Sequence, residues 1–170
     1  MKSLIFFYTF LSIFININMI YSEFVNKKLK SFVDDDEIAT ITTDSESELI
    51  EALFKLYEKT GTIYIDTPVI NVKGSSLLLD GDFPGGIIGI RQPNGEYPRI
   101  SFLNEDTEDS FTGIYMYSNK FIEYIIIENS LLDGIAIIGD NNILDHVISR
   151  YNYGCGFVSY GDFNIFNYCY

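Results

Sequence analysis

The chain of 170 residues carries 24 Asp and Glu against 11 Lys and Arg, a formal net charge of −13. A surface of that sign repels phosphate backbones and anionic lipid, which argues against a nucleic-acid or polybasic membrane-surface role. At 47% hydrophobic and 16% aromatic the chain is too apolar for a disordered acidic tail, and two Cys and one His give neither a disulfide framework nor a zinc constellation.

In chain order, Met1-Lys2-Ser3 lead into an apolar run from Leu4 to Ile15, interrupted only by Thr9 and Ser12. A positive start and about a dozen apolar residues fit a secretory signal peptide over residues 1–22 better than a membrane span, which needs about 20. The protein is therefore expected to be secreted, with no membrane association once the signal is cleaved. Residues 23–43 pass from a basic patch (Lys27, Lys28, Lys30) to an acidic one (Asp34 to Glu37) and read as a solvated linker. Over residues 44–61, Ser45 and Glu48 have capping-box spacing, and Leu49, Ile50, Leu53, Phe54 and Tyr57 share one helical face. Glu51 and Lys55 form an i,i+4 pair, and Gly61 is expected to supply a left-handed exit. Thr62–Ile65 and Val69–Val72 then read as β-branched strands around Pro68.

The remainder repeats. Gly139-Asp140-Asn141-Asn142-Ile143 recurs 22 positions later as Gly161-Asp162-Phe163-Asn164-Ile165. Upstream, Gly134-Ile135-Ala136-Ile137 matches Gly156-Phe157-Val158-Ser159, and Gly113-Ile114-Tyr115-Met116 stands 21 positions before the first of these. A glycine, a short alternating strand, a polar turn and a second strand every 21 or 22 residues mark a repeat architecture. The apolar residues are mostly Ile, Val, Phe and Tyr in strand-length runs, so each unit is expected to form one coil of a parallel β-helix. Three interior columns follow from that alignment: Ile114, Ile135 and Phe157; Ile122, Ile143 and Ile165; Ile126, Val147 and Cys169. His146 falls beside Ile125 and Tyr168, a half-buried structural position. Stacked Asn142 and Asn164 are expected to satisfy the turn backbone.

With its Gly-Asp-x-Asn-Ile turns and Gly-Ile-x-Ile strands, the segment from Gly113 to Tyr170 resembles right-handed parallel β-helix proteins of the pectin-lyase-like type. Within that superfamily, the stretch from Gly154 to Tyr170 is similar to family-nine polysaccharide lyases, which include secreted pectate lyases. The fold this implies is an all-β solenoid over residues 62–170, a right-handed parallel β-helix with an N-terminal capping α-helix. The last unit, from Gly156 to Tyr170, supplies 15 residues where its predecessors have 21 or 22. The chain is therefore expected to be truncated at its C-terminal end, the N-terminal part of a longer protein that is monomeric when complete.

The resemblance also implies chemistry: calcium-assisted β-elimination on an acidic plant-type polysaccharide, with several Asp holding calcium and a Lys or Arg as base. Calcium seeks six to eight oxygens, so acids must cluster from neighbouring coils. Of Asp133, Asp140, Asp145 and Asp162, only Asp140 and Asp162 stack, which makes them the metal candidates. For the base, Lys120 and Arg150 are the only basic residues of the three coils and read as surface residues without a carboxylate neighbour. Tyr117 and Tyr160 share a register two coils apart and are the substrate-stacking candidates. Cys155 and Cys169 fall in different registers and are not expected to pair. No complete catalytic motif maps onto these residues. Two expectations result: a secreted polysaccharide lyase whose catalytic half is missing, inactive as this fragment, or a non-catalytic β-helix that binds polysaccharide or serves in adhesion.

Overall fold

The computed structural model describes residues 37–103 and 110–170. The expected signal peptide and all but the end of the expected linker lie outside the described residues. Within them, fourteen strands and one helix are arranged as three sheets in which every pairing is parallel.

The chain enters as β1 (Glu37–Ile41), then forms α1 (Glu46–Glu58), β2 (Gly61–Ile65), β3 (Val69–Lys73) and β4 (Leu77–Leu79). From β2 onward successive strands visit the three sheets in strict rotation. β5 (Gly85–Gly89), β8 (Lys120–Glu123), β11 (Ile143–Asp145) and β14 (Ile165–Asn167) extend the first sheet beyond β1 and β2. β6 (Arg99–Leu103), β9 (Ile126–Glu128) and β12 (Ile148–Arg150) follow β3 in the second. β7 (Ile114–Met116), β10 (Ile135–Ile137) and β13 (Phe157–Ser159) follow β4 in the third.

Because side chains alternate along a strand, each sheet sends every second residue into a shared interior. Ile63, Ile87, Ile122 and Leu144 line up from the first sheet, Ile70, Ile100 and Ile127 from the second, and Leu77, Ile114, Ile135 and Phe157 from the third. Together with Leu79, Met116 and Ile137 these residues make one continuous core. The Ile114, Ile135, Phe157 column holds as read from sequence. The other two shift by one residue: Ile143 and Ile165 oppose Phe121, while Ile122 opposes Leu144. Likewise Ile126 opposes Ile148, which leaves Ile125, not Ile126, level with Val147 and Cys169. The cause is one extra residue in the Gly139–Asn142 turn, which changes the spacing from 21 before it to 22 after it.

Ser45 caps α1, its Oγ accepting from the Glu48 amide at 3.2 Å, and Glu51 meets Lys55 at 2.8 Å. The reciprocal half of the box does not form, because the Glu48 carboxylate accepts from the Thr43 hydroxyl instead. Nor does Gly61 close the helix: Lys59 ends it in an extended conformation and Gly61 opens β2. Leu49, Ala52, Leu53 and Leu56 are buried as α1 packs on β1 to β4, the strands that open the three sheets. Glu37–Ile41, read as linker, is a strand because Ile41 is buried and Ile38 and Ala39 pack on the core, which outweighs one flanking acid.

The corners are built from left-handed residues that recur in columns. Asn119, Asn141 and Phe163 share one corner, Tyr124, His146 and Tyr168 the next, and Asn129 and Tyr151 the third, all with φ between 49° and 67°. Aromatic residues are disfavoured there. Stacking offsets the strain in the second corner: ring centroids are 5.6 Å apart from Tyr97 to Tyr124, 5.0 Å from Tyr124 to His146 and 4.6 Å from His146 to Tyr168. His146 thus neighbours Tyr124, not Ile125.

Asn142 and Asn164 satisfy backbone from one circuit to the previous one. The Asn142 Oδ1 accepts from the Lys120 amide at 2.8 Å, and the Asn164 Oδ1 from the Asn142 amide at 2.9 Å. Close strand approach also fixes one glycine. A Cβ on Gly86 would run into the Phe121 carbonyl oxygen of its register partner. Gly86→Ala is expected to cost about 3 kcal/mol or more, read as a melting point lower by roughly 10 °C.

Candidate functional site

Two concavities stand out. One is an apolar groove of 530 Å³ between α1 and β4, lined by Ile50, Leu53, Phe54, Tyr57 and Leu78, with Glu58 and Asp80 as its charged residues. The other, of 450 Å³, lies at the corner between the second and third sheets and combines aromatic, amide and hydroxyl groups. Specific recognition needs convergent polar groups beside apolar surface, which singles out the second.

That corner is assembled from two successive circuits. Asn129, Ser130 and Leu131 follow β9, and Tyr151, Asn152 and Tyr153 follow β12 one level further on. Asn152 fixes the frame: its Oδ1 accepts from the Ser130 amide at 3.1 Å and the Ser130 hydroxyl at 2.8 Å, and its Nδ2 donates to the Ser149 hydroxyl at 3.0 Å. Asn129 uses its Nδ2 on the Ser101 hydroxyl at 2.9 Å, which leaves its Oδ1 without a partner among the described residues. Tyr151 and Tyr153 are 76% and 87% exposed. The left-handed backbone at Asn129 and Tyr151 turns both side chains outward from the strand ends.

The outer face of the second sheet continues this corner. Glu128 opposes Arg150 in register and is almost wholly buried. The Arg150 Nε lies 3.0 Å from one Glu128 oxygen and the Arg99 Nε 3.4 Å from the other. Arg150 also lies over the Tyr151 ring, 5.2 Å from its centroid. One carboxylate between two guanidiniums leaves a local excess of positive charge on a chain of net charge −13. Arg150 therefore has the carboxylate neighbour that the sequence reading withheld, because a spacing of 21 sets it level with Asn129 and the true spacing of 22 sets it level with Glu128. The same correction applied to the sequence would have found this pair.

The residues singled out from sequence fall elsewhere. The Asp140 Oδ1 accepts from the Asp162 amide at 2.7 Å, and the Asp140 amide donates to the Ser118 hydroxyl at 3.0 Å, so the stacked acids serve the turn. Among the described residues no three His, Cys, Asp or Glu side chains converge as a metal-ligand group. Tyr117 and Tyr160 follow β7 and β13 at equivalent places, with Ile138 between them in the same column; Tyr160 is exposed and Tyr117 half-buried.

Lys120 is not a surface residue. It is fully buried, and its Nζ donates to the carbonyls of Gly81 at 2.7 Å and Phe83 at 2.6 Å. Burial pushes its ammonium below the usual lysine range, against the opposing pull of Asp80 and Asp82.

A further acidic pair lies on the first sheet. Glu123, Asp145 and Asn167 stack in register. Asp145 is held by the His146 Nδ1 at 2.8 Å and the Asn167 Nδ2 at 2.7 Å. Burial, reinforced by the Asp145 charge, raises Glu123 to a pKa of about 7. Cys155 and Cys169 are both free, and Cys169 sits against the Leu144 carbonyl. No helix among the described residues is long and apolar enough to cross a membrane.

Comparison with known protein families, curated proteins and solved structures finds no match.

Proposed function

We propose that the chain is a right-handed parallel β-helix, exported from the cell, that binds polysaccharide at the corner after β9 and β12. The three parallel sheets visited in rotation support the fold, and the hand follows from the general rule for parallel crossovers. One observation carries the ligand class: two exposed tyrosines beside a concavity whose polar groups are amides and hydroxyls. A pyranose ring offers apolar C–H faces to an aromatic ring and hydroxyls to amide oxygens, and this corner supplies both. The non-catalytic reading is the one these contacts favour.

For β-elimination a base must reach the proton beside a uronate carboxylate. Of the two basic residues considered for that role, Lys120 is buried with its Nζ on two carbonyls, and Arg150 is tied through its Nε to Glu128. Polygalacturonate incubated with the protein and calcium is accordingly expected to give no unsaturated product; absorbance from such product would restore the lyase reading.

The binding reading is tested by electrophoretic retardation in gels containing polygalacturonate or xyloglucan. Tyr153→Ala and Tyr151→Ala are each expected to weaken retention about tenfold, the loss of roughly 1.4 kcal/mol of ring contact. Retention unchanged in both variants would overturn it.

A further inference from the structure

Arg99 and Arg150 flank Glu128 on the outer face of the second sheet. Each guanidinium turns its Nε to the carboxylate, at 3.4 Å for Arg99 and at 3.0 Å, a hydrogen bond, for Arg150. The side-on grip leaves the terminal Nη groups of both residues without a protein partner among the described residues. The two side chains remain 42% and 40% exposed, whereas that of Glu128 is only 9% exposed. The carboxylate is thus spent on holding the guanidiniums in place, and the donors face solvent.

We propose that Arg99 and Arg150 form an oxoanion subsite for a charged substituent on a sugar ring, a carboxylate or a sulfate ester. Planar guanidinium ends donate parallel hydrogen bonds to such groups, and two of them on a buried anchor form a receptor already oriented. The subsite adjoins the aromatic corner: Arg150 rests on Tyr151, and Asn129 is tied to Ser101, the residue level with Glu128 on the same face. A sugar stacked at Tyr151 therefore lies beside the Arg150 guanidinium, with Arg99 on the far oxygen of Glu128. Local positive charge also selects the anion against the repulsion of the acidic remainder of the chain. The inference rests on the polysaccharide reading of that corner and adds what the polymer must carry.

The experiment compares matched polymers in affinity gels: polygalacturonate against its fully methyl-esterified form, and dextran sulfate against dextran. The charged member of at least one pair is expected to be retained at least tenfold more tightly, with retention falling as salt rises. The carboxylate pair and the sulfate pair separate the two sources of the anion. Arg150→Gln and Arg99→Gln should each remove most of the difference between charged and neutral polymers. Glu128→Gln, which loosens the anchor of both guanidiniums, should weaken retention of the charged polymer by less than either arginine variant, in a protein that still melts cooperatively. Equal retention of charged and neutral polymers would overturn the oxoanion subsite and leave the polysaccharide reading standing. Retention of none of the four polymers, nor of xyloglucan, would overturn both.

Discussion

Replacing Lys120 by Ala is expected to destabilise the protein by about 4 kcal/mol, enough to leave it partly unfolded at 37 °C. The side chain is wholly inaccessible, and its Nζ is the hydrogen-bond donor to the carbonyls of Gly81 and Phe83 in the segment leading into β5. Truncation removes three carbons and one nitrogen from a packed interior and leaves two carbonyl oxygens without a donor, at about 1–3 kcal/mol each for buried groups. Part of that cost is recovered, since a buried ammonium is no longer desolvated. Lys120→Met separates these contributions by keeping the stem and removing only the donor, and should cost about half as much. Denaturant titration of the three proteins measures both values. Stability of Lys120→Ala within 1 kcal/mol of the parent would mean that the lysine does not brace this segment.

Glu123→Gln is expected to do the opposite, and only at high pH. The carboxyl lies between Ile88 and Asp145 in the first sheet, and its pKa rises to about 7 from the ordinary glutamate value of 4.5. Desolvation is the larger cause and the Asp145 charge the smaller. A carboxyl raised in this way holds its proton more tightly folded than unfolded. Its contribution to stability is therefore fully present below pH 4.5 and is lost as pH rises through 7. At pH 8 the parent carries an ionised, poorly solvated Glu123 and Gln does not, a difference of up to about 3 kcal/mol. Melting curves at pH 4, 6 and 8 should show the variant gaining on the parent in that order. A gap that stays constant across the three pH values would show that Glu123 does not titrate in this window.

Both residues illustrate what the sequence conceals. A buried lysine between carbonyls has no signature in one chain, since its partners lie 37 and 39 positions upstream in a connecting segment. The repeat was legible only where its period is regular. Ile114, Ile135 and Phe157 could be stacked from their glycines, whereas Gly85 opposes Lys120, 35 positions on, and Gly61 opposes Gly85 at 24. Insertions in the connecting loops hide those early circuits from any search for a fixed spacing. The extra residue at Gly139–Asn142 moved two columns by one position. In a sheet a shift of one residue exchanges the inner for the outer face. Phe121 and Glu123 were thereby lost from their columns, and Arg150 was parted from Glu128. The helix and its Ser45 cap were legible because they are local signals, but the buried stripe runs through Leu49, Ala52, Leu53 and Leu56 and leaves Phe54 and Tyr57 exposed. In contrast, β1 was missed because its partner β2 lies beyond the helix.

The claim on which the rest stands is that residues 22 positions apart face one another at the corner after β9 and β12. Disulfide trapping measures it directly, with Cys155 and Cys169 replaced by Ser and with Asn129→Cys and Tyr151→Cys introduced together. Adjacent parallel strands lie about 4.8 Å apart, within the Cα range that a disulfide accepts. Rapid, near-complete cross-linking under mild oxidation, with the cross-linked protein still cooperatively folded, is the expected result. Two cysteines that stay reduced in a folded protein would contradict the stacked circuits, and with them the ligand surface they build.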